Sequence, residues 1–133
     1  MSRIDGVLFG SHTRTHPDLR RLPADAIEEE LTSSRAAIEN VVERSVETLA
    51  YPYGAYDSRT RQLAGHHFSL ACSTQLAFAG QGSDPLAVER IDAYYFRNLA
   101  LFRRLLTPTG RAYVRARRFA RNLRARRAAR AAM

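Results

Sequence analysis

The chain has 133 residues, the size of one ordinary domain, and 45% of them are hydrophobic, which is enough for a packed core. It contains no apolar run of roughly 18 residues, so no transmembrane helix is predicted, and its single cysteine excludes an internal disulfide. Residues 1–97 carry ten arginines against thirteen acidic residues, whereas residues 98–133 carry eleven arginines and no acid, giving +8 in total. The composition thus predicts a mildly acidic body and a basic tail.

The first half of the chain alternates between predicted strands and helices. Gly6 to Phe9 is short, apolar and β-prone, which predicts a buried strand. Val46 to Tyr51 is a second such run. Between them, apolar residues at helical spacing and a proline suited to a helix start predict a helix over residues 23–43: Pro23, Ile27, Leu31, Ile38 and Val42.

The pattern continues beyond Tyr51. Asp57 is a predicted N-cap of a short helix ending near Gly65, and Phe68 to Ser73 and Ala87 to Asp92 are predicted strands. From about Asn98 the pattern is helical and becomes arginine-rich. Four apolar residues at helical spacing are predicted to cover an exposed face of the body: Leu99, Phe102, Leu105 and Leu106.

Alternating strands and helices with short connections predict parallel β/α units. A complete (β/α)₈ barrel takes roughly 250 residues, so residues 1–97 supply only about three units. The expected fold is therefore α/β, either a small open sheet or an incomplete (β/α) barrel, with a helical basic tail at residues 98–133.

Two of the four histidines, His12 and His16, directly follow the first predicted strand. If residues 12–16 form one helical turn, their spacing places both imidazoles on one side. Two such imidazoles can bind a divalent metal such as Zn²⁺, although a catalytic zinc needs about three protein ligands. A histidine pair at this spacing is common, and by spacing alone the pattern favours ordinary surface histidines at a helix start over metal ligands.

A second distinctive stretch, AYPYGAYD, runs from Ala50 to Asp57. It again follows a predicted strand and leads into a predicted helix. The proline and glycine around Tyr53 fix an unusual backbone path and let a ligand approach closely. Taken alone, the stretch also fits a tight structural turn with aromatic packing.

Together and in this order, GSHTRTHPDL and LAYPYGAYD resemble two motifs of the polysaccharide deacetylase family, also called the NodB-homology domain or carbohydrate esterase family 4. The first is similar to the family's metal-binding motif of two histidines, and the second to its third motif. The resemblance extends from about Gly6 to Asp92. It implies that residues 1–97 are part of a barrel of the polysaccharide deacetylase type.

The resemblance implies a metal-dependent hydrolase that removes acetyl groups, N-acetyl above all, from a carbohydrate polymer. A divalent metal, with Zn²⁺ expected, would be held by the residues that match the family's histidines, His12 and His16. The backbone amide of Tyr53 would stabilise the oxyanion. Tyr51, Pro52, Tyr53 and Gly54 would line the substrate groove.

The family's first motif, of the Thr-Phe-Asp-Asp-Gly type, has no counterpart between Met1 and Ser11. That motif carries a metal ligand and the catalytic base, so the chain is expected to be the C-terminal portion of such a domain and inactive alone. Family members often act outside the cytoplasm. The first residues do not resemble a signal peptide, so no localisation is predicted.

A rival hypothesis comes from the arginine-rich tail. It describes a non-catalytic protein that binds nucleic acid or anionic membrane through residues 98–133. No nucleic-acid-binding motif accompanies these arginines, which favours weak electrostatic anion binding over a specific nucleic-acid site.

Overall fold

A computed structural model describes residues 6–131. The first five residues of the expected domain and residues 132–133 of the expected tail lie outside this range. The helices and strands, in chain order, are α1 (Ala24–Val42), β1 (Thr48–Ala50), α2 (Ser58–His67), β2 (Leu70–Leu76), β3 (Val88–Arg90), α3 (Leu99–Arg103) and α4 (Pro108–Ala131). Short 3₁₀ segments occur at Leu19–Arg21, Pro52–Gly54 and Ala93–Phe96.

The described residues form two compact units. One comprises residues 6–74 and 80–88, and the other comprises residues 75–79 and 89–131. The three-stranded sheet has the order β1-β2-β3. Strands β1 and β2 are parallel, with Thr48 opposite Leu70 and Ala50 opposite Cys72, and α2 connects them. This β1-α2-β2 unit confirms the predicted parallel β/α pattern.

The first unit has a core between its helices and strands. The buried apolar residues come from these elements and from the segments that join them: Leu19, Ile27, Leu31, Val46, Leu49, Tyr51, Ala64, Phe68 and Ala71. The predicted helix at 23–43 is confirmed as α1, which ends where Glu43 turns left-handed at φ 55°. Asp57 is the N-cap of α2, as predicted, because its carboxylate accepts a 2.7 Å hydrogen bond from the Thr60 N–H. The helix ends two residues beyond Gly65, at His67.

The strand predicted at Gly6 to Phe9 is wrong. Val7, Leu8 and Phe9 are exposed. Of residues 6–11, only Ser11 pairs with β1, through a parallel bridge to Leu49. The Ser11 N–H donates to Thr48 O (2.8 Å) and Ala50 N–H donates to Ser11 O (2.9 Å). An apolar run becomes a strand only where neighbouring backbone groups pair with it, and along residues 6–10 no ladder partner is present in the described part of the chain.

The second unit has its own small core of Leu76, Phe96 and Val114, against which Leu101 and Leu105 pack. Leu99, Phe102 and Leu106 are exposed, so the prediction that these three cover the body is wrong. Helix α3 ends at Arg103, before Leu105 and Leu106, so the helical spacing assumed for these residues is not maintained. Among residues 6–131, no helix is both long enough and apolar enough to span a membrane.

Candidate active site

His12 and His16 lie on a loop of residues 11–16, here called the histidine loop, directly after the bridge to β1. Residues 12–16 do not form the helical turn considered for them, since Thr13 (φ 64°) and His16 (φ 60°) have left-handed backbone conformations. The two imidazoles nevertheless converge: their ring centroids are 4.7 Å apart at an interplanar angle of 73°. Both residues are exposed to solvent. The expectation that the rings share one space is therefore confirmed.

The histidine loop is tied to α1 at its first residue and is closed by a hydrogen bond within it. Ser11 is buried, and its hydroxyl hydrogen-bonds the Ser34 hydroxyl on α1. The His16 N–H donates to the Thr13 hydroxyl (3.1 Å) across the loop. A left-handed conformation at a residue other than glycine costs about 1–3 kcal/mol and persists only where the surroundings fix it. These hydrogen bonds supply part of that constraint.

Glu30 on α1 holds the middle of the histidine loop. Its Oε2 accepts hydrogen bonds from the backbone N–H groups of Arg14 (2.8 Å) and Thr15 (2.9 Å), and its Oε1 accepts one from the Thr15 hydroxyl (2.5 Å). Burial alone would raise the pKa of Glu30, but the hydrogen bonds from Thr15 and Arg14 outweigh it and lower the pKa below its ordinary value. The carboxylate is thus ionised at neutral pH and remains an acceptor.

The tautomer of His12 follows from its hydrogen bond. Its Nδ1 lies 2.6 Å from Ala50 O, at the end of β1. A carbonyl oxygen can only accept, so Nδ1 carries the proton and Nε2 of the neutral ring keeps a free lone pair. A backbone carbonyl that fixes the imidazole in this way is a common partner of metal-binding histidines.

The second predicted stretch forms the turn beside the histidines. Tyr51 is buried, its hydroxyl donates to Leu86 O (2.9 Å), and its ring stacks on Tyr56 with centroids 5.1 Å apart. Burial raises the pKa of the Tyr51 phenol. Pro52 is also fully buried. The burial of Tyr51 and Pro52 favours a role in supporting the turn over direct contact with a polymer.

Tyr53 is the exposed residue of this turn, with 67% of its surface accessible. It adopts a left-handed conformation (φ 59°), and its ring meets His16 edge-on with centroids 4.7 Å apart. The Gly54 N–H donates to Tyr51 O (2.9 Å), whereas the Tyr53 N–H has no acceptor among residues 6–131. Gly54 is left-handed too (φ 65°), and a Cβ there would collide with Thr74. The turn therefore presents one free backbone donor beside the imidazoles.

Comparison with known proteins agrees with this arrangement. Residues 2–67 match the family model described as polysaccharide deacetylase. This part of the chain is similar to the polysaccharide deacetylase family. No curated protein matches the chain.

Solved deacetylase structures resemble the chain over 62% of its length. The Streptococcus pyogenes deacetylase PplD, in complex with acetate, is 28% identical with a TM-score of 0.61. BC0361, a polysaccharide deacetylase from Bacillus cereus, is 28% identical with a TM-score of 0.57. The chain spans 37% of the first structure and 26% of the second. Its α/β fold is similar to theirs, and its partial sheet is consistent with an incomplete barrel. The rival hypothesis of a binding protein gains no support from these similarities.

The residues present fit part of a polysaccharide deacetylase metal site. The His12 and His16 rings are close and exposed, and the His12 ring is held by its Nδ1 on Ala50 O, which leaves Nε2 directed away from that carbonyl. In the described part of the chain, however, no group of three or more histidine, cysteine or acidic side chains is arranged to hold a metal ion. Two imidazoles are therefore in place, and the ligand set is not completed by residues 6–131.

Glu30 was not predicted as a site residue, although the sequence contains a signal for it. Ile27, Leu31 and Ser34 are buried on one face of α1, and Glu30 stands at the spacing of that same face. An acid on an apolar helical face needs partners. Its partners, Arg14 and Thr15, lie about fifteen residues earlier in the chain, which a helical pattern cannot reveal.

Proposed function

We propose that this chain is part of a metal-dependent carbohydrate deacetylase that hydrolyses acetyl groups, N-acetyl above all, on a carbohydrate polymer. The similarity of residues 2–67 to the family supports the reaction class. The observation that carries the proposal is the meeting of His12, His16 and Tyr53 at one point beside the end of β1. The related PplD was solved with acetate, which is the product that such a hydrolysis releases.

In this proposal, His12 and His16 hold a divalent metal, with Zn²⁺ expected. When bound, such a metal polarises an acetyl carbonyl and lowers the pKa of water. The chain's own contribution is to orient its ligands. The Nδ1–H of His12 is fixed on Ala50 O, which aims Nε2, and the Tyr53 ring restricts the rotation of His16.

Tyr53 would also contact the substrate in two ways. Its free N–H can donate to the acetyl oxygen as negative charge develops there, which is the role of an oxyanion donor. Its exposed ring offers an apolar face on which a sugar can pack. Gly54 beside it keeps the backbone accessible.

The proposal also requires a general base and a third metal ligand. Residues 6–131 do not supply them in a cluster with the two histidines. We therefore expect residues 1–133 alone to bind metal weakly and to show no turnover. Paired aspartates of the family's first motif would complete the site.

The test is acetate release from an acetylated chitin oligomer, measured with Zn²⁺ and with a chelator. The chain alone should release none, and a fusion with a strand containing the Thr-Phe-Asp-Asp-Gly motif at its N-terminus should release acetate. The fusion should lose activity on chelation and with His12→Ala, and keep it with the control His66→Ala. Release that persists with His12→Ala would contradict the proposal. Release by the unfused chain that depends on His12 would instead assign the missing role to one of its own carboxylates, for example Asp92.

A further inference from the structure

We propose that Glu30 is a positioning residue that brings the two imidazoles together by imposing the shape of the histidine loop. The inference rests on the proposed function of His12 and His16 as metal ligands and extends it to a residue outside both motifs. Glu30 lies on α1, fourteen residues beyond His16 in sequence, and contacts only the residues between the histidines and not the rings.

The contacts of Glu30 use both carboxylate oxygens. Two successive backbone N–H groups, of Arg14 and Thr15, point at Oε2, and the Thr15 hydroxyl donates to Oε1. Successive N–H groups that converge in this way form a concave anion-binding arrangement. Here the anion is built into the neighbouring helix, so the loop is shaped around a fixed charge.

The backbone of the loop explains why such a charge is needed. Thr13 and His16 flank the two donors, and both are left-handed. Thr13 is β-branched, which makes this conformation particularly unfavourable. If the carboxylate were removed, the Arg14 and Thr15 N–H groups could bond to water equally well in a right-handed or extended loop. The distance between the imidazoles would then no longer be fixed.

The geometry also separates this role from direct chemistry. A general base must accept a proton from water, and a metal ligand must direct a lone pair at the ion. The hydrogen bonds of the Glu30 carboxylate are directed at the loop between the histidines. Among the described residues, Glu30 does not join the two histidines in a group of three side chains that could hold a metal ion. Glu30 therefore acts through His12 and His16.

Glu29 provides a matched control. It precedes Glu30 on α1, and its carboxylate lies 3.6 Å from the Arg14 guanidinium, with both side chains exposed. Glu29→Ala thus removes an acid facing the same loop without touching the loop's amides. Glu30→Gln keeps one acceptor oxygen and should give an intermediate result, whereas Glu30→Ala removes both.

The experiment measures two quantities by NMR in the metal-free protein: hydrogen exchange of the Arg14 and Thr15 amides, and the nuclear Overhauser effect between the His12 and His16 rings. In Glu30→Ala, exchange should become at least tenfold faster and the ring–ring effect should disappear, while the Leu49 amide in the core keeps its protection. Glu29→Ala should behave as the wild type. Unchanged loop exchange and an unchanged ring–ring effect in both Glu30 variants would overturn the inference.

Zn²⁺ affinity is the third measurement, and it separates the two proposals. It should fall at least tenfold in Glu30→Ala and less in Glu30→Gln. If the ring pair is lost in Glu30→Ala but the wild type binds no Zn²⁺, the positioning role holds and the proposed metal site fails. If Zn²⁺ binds the wild type and Glu30→Ala equally, the positioning role fails and the metal site stands.

Discussion

At the scale of single residues, the site depends on partners that are distant in sequence. His12 is fixed by Ala50 O, 38 residues away, and the loop between the histidines is held by Glu30 on α1. The histidine spacing predicted that the rings converge, yet the helical turn assumed for it is absent. A motif indicates which side chains come together. The backbone conformation between them depends on contacts outside the motif.

Asp18, within the histidine motif, gives a pH-dependent prediction. The Arg20 guanidinium hydrogen-bonds this carboxylate and lowers its pKa from 3.8 to about 2. A lowered folded-state pKa stabilises the fold above pH 4, and this stabilisation is lost as the pH falls towards 2. Because Arg20 is half exposed, solvent screening reduces the effect to about 1 kcal/mol.

The comparison is chemical denaturation of the wild type and Asp18→Asn from pH 7 to pH 2. The free energy of unfolding of Asp18→Asn should be lower by about 1 kcal/mol at pH 7, and the two proteins should converge near pH 2. Glu47→Gln, which removes an exposed carboxylate outside the helices, controls for net charge. A difference that stays constant down to pH 2 would exclude ionisation of Asp18 as its cause.

At the scale of elements, the helices were more predictable than the strands. The start and end of α1 and the cap of α2 follow from local residues such as Pro23 and Asp57. The run at Gly6 to Phe9 has the composition of a strand, but a strand requires backbone partners, and residues 6–10 have no ladder partner in the described structure. The burial of Tyr51 and Pro52 likewise depends on packing across β2 and the loop before β3, which the sequence pattern does not contain.

The turn after β1 should tolerate no side chain at Gly54. Gly54→Ala places a Cβ against Thr74 and keeps a left-handed φ of 65°. The left-handed backbone costs about 1–2 kcal/mol, and the clash adds about 1–3 kcal/mol. The free energy of unfolding should therefore fall by about 3 kcal/mol.

Gly80→Ala, where a Cβ meets no atom within 4 Å, should change the free energy of unfolding by no more than about 0.5 kcal/mol. Equal effects of the two substitutions in chemical denaturation would contradict this account of the turn.

At the scale of the whole molecule, the excess positive charge and the candidate site residues lie in different parts of the chain. The site residues belong to residues 12–54, whereas the excess of arginine belongs to residues 98–133. Helix α4, from Pro108 to Ala131, contains nine arginines and no acidic residue. Composition predicted this division, and the alternation of predicted strands and helices predicted the α/β fold. The second core, around Leu76, Phe96 and Val114, was not predicted because its residues come from separate parts of the chain.

The arginines of α4 should bind polyanions weakly and without selectivity. If about four phosphates are neutralised, counterion release lowers the affinity for duplex DNA roughly 100-fold between 50 and 200 mM salt. Anionic vesicles should show a similar decline. Replacing Arg115, Arg124 and Arg127 by alanine should weaken binding more than the same change at Arg14, Arg21 and Arg44, which alters net charge equally. Sequence-selective DNA binding that survives physiological salt would contradict this prediction.

The central claim is that His12 and His16 form one metal-binding pair, and a Zn²⁺ titration followed by the ¹⁵N NMR signals of the four imidazoles tests it most directly. The account predicts that the His12 and His16 signals change together and saturate at one metal ion per chain. His12 should bind through Nε2 while its Nδ1–H stays on Ala50 O, and His66 and His67 should not respond. Independent changes of His12 and His16, or a first response at His66 and His67, would contradict the account.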